Sequence, residues 1–171
     1  MPAHVTHDFV RWSDIDLAGI VRYTAFPRFL ELGEAELFRS LGVRYSEIFT
    51  HYGVSLPRKV MHLEYHAPAR LDDRLAIATT VSRVGTTSLT LSTEIRQADS
   101  GAPCASGYMV LVCTGAADLS KRPLPADLLE LLAPYIEKDP GARTPGAHES
   151  AGSAPHGSAP HGGAGALPDR R

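Results

Sequence analysis

Asp14-Ile-Asp16-Leu-Ala-Gly19-Ile-Val-Arg-Tyr23 joins a β-like run, Val5 to Trp12, to a strongly apolar stretch of helical period. Two carboxylates two residues apart precede a glycine and then an aromatic at a helix entrance. The first backbone N–H groups of a helix have no intrahelical acceptor, and the helix dipole is positive there. An acid held beside such donors suits attack on a carbonyl whose oxygen must be stabilised as it becomes an oxyanion.

The helix that follows has Phe26, Phe29, Leu30, Gly33, Leu37 and Leu41 at helical spacing. Leu32, Ala35 and Phe38 add apolar surface off that stripe, so burial on more than one side is predicted. Thr24 reads as the N-cap, Pro27 falls in the tolerated first turn, and Gly42 is the stop. Gly33 costs about 1 kcal/mol against alanine in mid-helix. It predicts a very close neighbour.

Strand signals come next, after a short irregular or helical piece from Ser46 to Tyr52. In Val60 to His66, Met61, Leu63 and Tyr65 alternate with His62, Glu64 and His66. Leu75 to Val84 is rich in β-branched residues, Arg83 to Thr86 reads as a hairpin turn, and Leu89, Leu91 and Ile95 share a face of Thr87 to Arg96. A turn at Asp99-Ser-Gly101 leads to a long strand, Cys104 to Thr114, and a short helix opened by proline spans Pro125 to Ile136. The order predicts an α+β domain of one strand, one long helix and a four-strand antiparallel meander, with the sheet wrapped round the helix.

With 171 residues, 43% of them hydrophobic and 21% charged, one domain with a substantial core is expected. It is assigned to residues 1–138. Residues 139–171 are Gly, Ala, Pro, Ser and His in the main, with the repeat Ser153-Ala-Pro-His-Gly157 and Ser158-Ala-Pro-His-Gly162. That composition predicts a disordered tail. His148, His156 and His161 are too widely spaced on it for a metal site. The net charge of −2 argues against a nucleic-acid partner. No apolar run reaches the roughly 20 residues of a membrane span, and the first residues lack signal-peptide character, so a cytoplasmic protein is expected. Cys104 and Cys113, about 30 Å apart along one strand, are too distant to pair. His62, Glu64 and His66 have metal-ligand spacing on the strand face opposite the apolar one, and are read as facing solvent or a subunit seam. No Gly-x-Ser-x-Gly elbow, Cys-x-x-Cys pair or phosphate loop is present.

Arg11-Trp-Ser-Asp14-Ile-Asp16-Leu-Ala-Gly19-Ile-Val-Arg-Tyr23, with Phe26 and Glu31 beyond it, resembles the opening motif of hotdog-fold acyl-CoA thioesterases of the 4-hydroxybenzoyl-CoA thioesterase type. Glu64-Tyr-His-Ala-Pro68-Ala-Arg70-Leu-Asp72-Asp73-Arg-Leu-Ala-Ile77, Gly85-Thr-Thr-Ser88-Leu and Lys121-Arg-Pro-Leu-Pro125 are similar to later segments of the YbgC-like members, in order from Phe9 to Leu128. The resemblance implies a hotdog fold assembled as a homodimer or homotetramer, sheets paired edge to edge. It implies hydrolysis of an acyl-CoA, aromatic or short-chain, without a cofactor, coenzyme A being part of the substrate. Asp16 is the implied nucleophile or general base, and the Tyr23 amide the implied oxyanion donor. Gly19, Ile20 and Val21 of the loop, with Glu31, are candidate substrate contacts. Many YbgC-like members have a histidine where this chain has Tyr23. The basic cluster that grips the CoA phosphates in hydroxybenzoyl-type enzymes is replaced by Gly85-Thr86-Thr87, which leaves Arg58, Lys59 and Arg83 as candidates. The rival readings are a hotdog dehydratase or hydratase, against which stands the lack of any histidine between His7 and His51, and a non-catalytic acyl-thioester binding module.

Overall fold

The computed structural model describes residues 3–137. The assigned boundary at residue 138, the tail and its three histidines lie outside them. β1 (His4–Phe9) precedes a 3-10 turn (Trp12–Asp14), the loop and a second 3-10 turn (Tyr23–Ala25). Then come α1 (Phe26–Ser40), α2 (Tyr45–Thr50), β2 (Val54–Ser55), β3 (Arg58–Tyr65), β4 (Arg74–Val84), β5 (Ser88–Gln97), β6 (Pro103–Val112), β7 (Thr114–Gly115) and α3 (Ala126–Leu132). A last 3-10 turn (Ala133–Tyr135) follows. No helix among these residues is long and apolar enough to cross a membrane.

One antiparallel five-stranded sheet, in the order β1-β4-β5-β6-β3, carries α1 on its inner face. Leu75, Ile77, Thr79 and Val81 of β4 and Leu89, Leu91, Thr93 and Ile95 of β5 point inward at every second position and are buried. Phe29, Leu30, Leu37 and Phe38 of α1 lie against them with at most 1% exposure, each burial worth roughly 1.5–3 kcal/mol. This is the hotdog arrangement.

The close neighbour predicted by Gly33 is Thr79. A Cβ on Gly33 would overlap Thr79 Oγ1 and lie 3.0 Å from Ile77 Cγ2. Gly42 ends the helix region with a positive φ of 81°. Thr24 does not cap α1: it sits inside the preceding 3-10 turn, whose own bond runs from the Ala25 N–H to the Arg22 carbonyl, and Ala25 takes the cap position.

The meander holds for β4, β5 and β6 only. β3 pairs with β6 at the far edge, Met61 opposite Met109 and Leu63 opposite Gly107. Alternation along a strand fixes the faces and not the neighbours. Residues 66–73 carry the chain from β3 to β4 across two strands, roughly 15 Å, within reach of eight residues. The long last strand is also broken. Thr114–Gly115 leaves the main sheet to pair with Val54–Ser55, where the Ser55 and Thr114 hydroxyls are 2.9 Å apart. Cys104 and Cys113 are free and buried, and burial raises both thiol pKa values.

Gly33→Ala is expected to lower the melting temperature by several degrees. Overpacking a stiff, buried Thr79 costs about 1–3 kcal/mol and outweighs the helix-propensity gain of about 1 kcal/mol. Thermal unfolding checks it, and adding Thr79→Ala should recover part of the loss.

Candidate active site

The loop between β1 and α1 is built on Asp14. Its side chain is 4% exposed, and Oδ2 accepts the Arg11 N–H at 2.9 Å. Arg28, in the first turns of α1, forks onto it through Nε to Oδ1 (3.1 Å) and Nη2 to Oδ2 (2.5 Å). The third corner of the same guanidinium, Nη1, reaches Asp8 Oδ2 at 2.5 Å. Burial pushes the Asp8 pKa up, but the Arg28 bond and charge outweigh it and hold the carboxyl below its ordinary value.

Above that base the loop closes on itself. Ile15 bridges Val21, the Asp16 N–H donates to the Ile20 carbonyl at 3.1 Å, and the Gly19 N–H donates to the Asp16 carbonyl at 3.0 Å. Gly19 has φ of 72° with nothing within 4 Å of a Cβ position, so this glycine serves the turn's left-handed backbone. Asp16 Oδ1 accepts the Ala18 N–H at 2.8 Å, which fixes the side chain. Asp16 is exposed and has no cationic partner among the described residues.

The Val21 N–H donates to the Ala69 carbonyl at 2.9 Å, fastening the loop to the β3–β4 crossover. Tyr23 opens the 3-10 turn, so its N–H has no acceptor within that turn, and among the described residues none other takes it. The Tyr23 carbonyl accepts the Tyr65 hydroxyl at 3.3 Å, and the Tyr65 ring meets Phe26 edge-on at 5.2 Å. Between loop, helix entrance and the end of β3 lies a cleft of about 440 Å³. Asp16, Ile20, Val21, Tyr23, Phe26, Tyr65, His66, Ala67 and Pro68 line it.

Asp16, Ile20, Val21 and Tyr23 are thus brought together, while Gly19 stays at the turn. Glu31 is exposed on α1, away from the lining. Phe26 and the Tyr65-to-Pro68 wall were missed as site residues, although both lie within the quoted motifs. The signal was there in a strand ending at a proline, but which element that strand end faces depends on the crossover. His66 Nε2 lies 2.8 Å from Ser106 Oγ, and His62 Nε2 3.1 Å from Glu64 Oε1. Among the described residues no group of three His, Cys, Asp or Glu is placed to hold a metal.

The phosphate candidates lie elsewhere. The Arg58 guanidinium is already engaged: its Nη2 is 2.5 Å from Glu34 Oε2, a fully buried carboxylate on α1, and its Nη1 is 3.2 Å from the Tyr45 hydroxyl. Tyr45 donates to Glu34 Oε1 at 2.7 Å. Burial raises the Glu34 pKa, opposed by Tyr45 and Arg58. The Arg58 guanidinium therefore closes a buried pair and is not a free cation. Lys59 stands six residues before Tyr65 on β3, about 20 Å from the cleft within one chain. Arg83 stands nine residues beyond Arg74, the partner of Phe9, about 30 Å along β4.

Asp16, a carboxylate without a cationic partner among the described residues, and Tyr23, whose N–H has no acceptor among them, thus line one largely apolar cleft. The family model of the thioesterase-like superfamily matches residues 10–132. The chain belongs to that superfamily. It is a thioester hydrolase. The acyl-CoA thioester hydrolase YbgC of Escherichia coli is 28% identical over 120 residues, 70% of this chain and 88% of that one. A thioesterase-superfamily structure from Jannaschia superposes with a TM-score of 0.73 at 25% identity, covering 79% of this chain and 94% of the other. A 1,4-dihydroxy-2-naphthoyl-CoA thioesterase from Synechocystis superposes at 0.71 with 23% identity, covering 77% and 96%.

Arg58→Met should lower stability by roughly 3 kcal/mol, because it strands the buried Glu34 carboxylate. It should leave KM for the thioester within about 2-fold. Thermal unfolding and steady-state kinetics on the same preparation check both.

Proposed function

We propose that this thioester hydrolase acts on an acyl-CoA, releasing the free acid and coenzyme A, with Asp16 as nucleophile or general base and the Tyr23 N–H as oxyanion donor. The observation that carries the reading is that Asp16, whose carboxylate has no cationic partner among the described residues, and Tyr23, whose N–H has no acceptor among them, line one cleft. As general base, Asp16 takes a proton from water, and the oxygen adds to the thioester carbonyl. As nucleophile, it forms a mixed anhydride that water then opens. In either course the carbonyl oxygen gathers negative charge beside the Tyr23 amide. Collapse of that adduct breaks the C–S bond, in the nucleophilic course as the anhydride forms and before water opens it, and the thiolate leaves to take up a proton. Ile20, Val21, Phe26, Tyr65 and Pro68 suit an apolar acyl group, aromatic or short-chain. Two buried reduced thiols fit a cytoplasmic location.

The substrate's phosphates need cations that the cleft's own lining lacks. β3 is an edge strand with Val60, Met61 and Tyr65 between 38% and 51% exposed. Such an edge pairs readily with a second copy of itself. A two-fold axis near the middle of β3 brings the partner's Lys59 to the Tyr65 end of this strand, and self-association of this kind supports Lys59 as a phosphate contact.

Asp16→Asn should lower kcat by at least ~10²-fold with KM little changed, since the loss falls on the transition state. Tyr23→Phe keeps the amide and should cost less than ~10-fold. Thiol release from a panel of acyl-CoAs measures both, and near-normal turnover by Asp16→Asn sinks the mechanism. Light scattering should give a dimer or tetramer mass. A fully active monomer would remove the shared cleft and leave the Asp16 chemistry standing.

A further inference from the structure

Three aspartates lie in or beside the loop, and among the described residues Asp16 alone of the three has no cationic partner. Arg28 binds Asp14 through two of its nitrogens and Asp8 through the third. Asp16, two residues from Asp14, has no such partner. Arg28 therefore joins the end of β1, the buried base of the loop and the first turns of α1. Those turns follow directly on the Tyr23 amide. The Asp14 carbonyl also accepts the Arg22 N–H at 2.9 Å, so the residue before Tyr23 hangs on the aspartate that Arg28 holds.

We propose that Arg28 is a positioning residue for hydrolysis, setting the Asp16 carboxylate against the Tyr23 amide through Asp14. This rests on the roles given above to Asp16 and Tyr23. The planar fork is the operative feature. Two nitrogens fix the plane of the Asp14 carboxylate while the third holds Asp8, a geometry that a lysine ammonium cannot reproduce. The side chain is 27% exposed and lies outside the cleft lining, so Arg28 acts through the loop and does not touch the acyl group. An error of about 1 Å in the relative placement of carboxylate and amide is enough to cost roughly 10²-fold in rate.

Arg28→Lys, Arg28→Met, Asp14→Asn and the double variant Arg28→Lys with Asp14→Asn are measured in the full-length chain for melting temperature, kcat and KM. The temperature is set well below every melting transition. Arg28→Lys should keep most of the stability, because a cation remains between the two acids. Its kcat should still fall at least ~20-fold with KM within about 3-fold, and Arg28→Met should fall at least as far. The double variant should be no slower than the slower single variant, because both changes release the same loop. A kcat for Arg28→Lys within 3-fold of the parent overturns the proposal, as does a double variant whose loss is the product of the single losses. A purely structural role lowers the melting temperature and leaves the rate per folded molecule unchanged, and that outcome also overturns it. Retained turnover in Asp16→Asn alone would instead reject the Asp16 mechanism, so the two failures are told apart.

Discussion

The contact between Gly33 and the inner face of β4 sets where everything else can sit. With no Cβ in the way, α1 settles onto Thr79 and Ile77, and its long axis is fixed against the middle of the sheet. A helix held at its centre has both ends placed. One end carries Arg28 and the 3-10 turn with the Tyr23 amide. The other runs out at Gly42, where the chain turns toward α2. A lift of α1 by one methyl radius would therefore shift the amide relative to a loop that is pinned to β1 and to the crossover.

Charge is distributed along that helix to suit. Glu34, one residue beyond the contact glycine, is fully buried, and Arg58 with Tyr45 satisfies it from the start of β3 and from α2. Arg28, one and a half turns before the glycine, satisfies Asp14 and Asp8. Each buried carboxylate has its guanidinium, because an unpaired charge in such a place costs several kcal/mol. Asp16 escapes this rule because it is exposed and solvent can carry its charge. No desolvation penalty forces a counter-ion on it, which is what the role proposed for Asp16 requires.

Periodicity made the inner half of the fold legible. The apolar stripe of α1, the alternation in β4 and β5 and the turns at Gly85 and Gly101 follow from local pattern, and Gly33 announced its close neighbour. The resemblance to a known motif, more than any local rule, singled out Asp16 over Asp14. Relations between distant segments left no such mark. Nothing in Val60 to His66 says that its neighbour is β6, since the same alternation would serve beside β4. Arg58 looked like an available cation because its partner lies 24 residues earlier, inside a helix read only for its apolar stripe. Thr24 looked like a cap because propensity cannot see that a 3-10 turn already occupies that place.

The misread strand order and the missed cleft wall are one fact. Had β3 lain beside β4, a tight hairpin would have joined them, and the chain between them would have stayed at that end of two neighbouring strands. Placing β3 at the far edge forces the chain to travel back across β6 and β5. That traverse brings His66, Ala67 and Pro68 opposite the loop and presents the Ala69 carbonyl to the Val21 N–H. The same placement leaves β3 with one unpaired edge and with Tyr65 reaching over to the Tyr23 carbonyl. The cleft is thus a consequence of the crossover, which supplies His66, Ala67 and Pro68 as the wall facing the loop and the helix entrance.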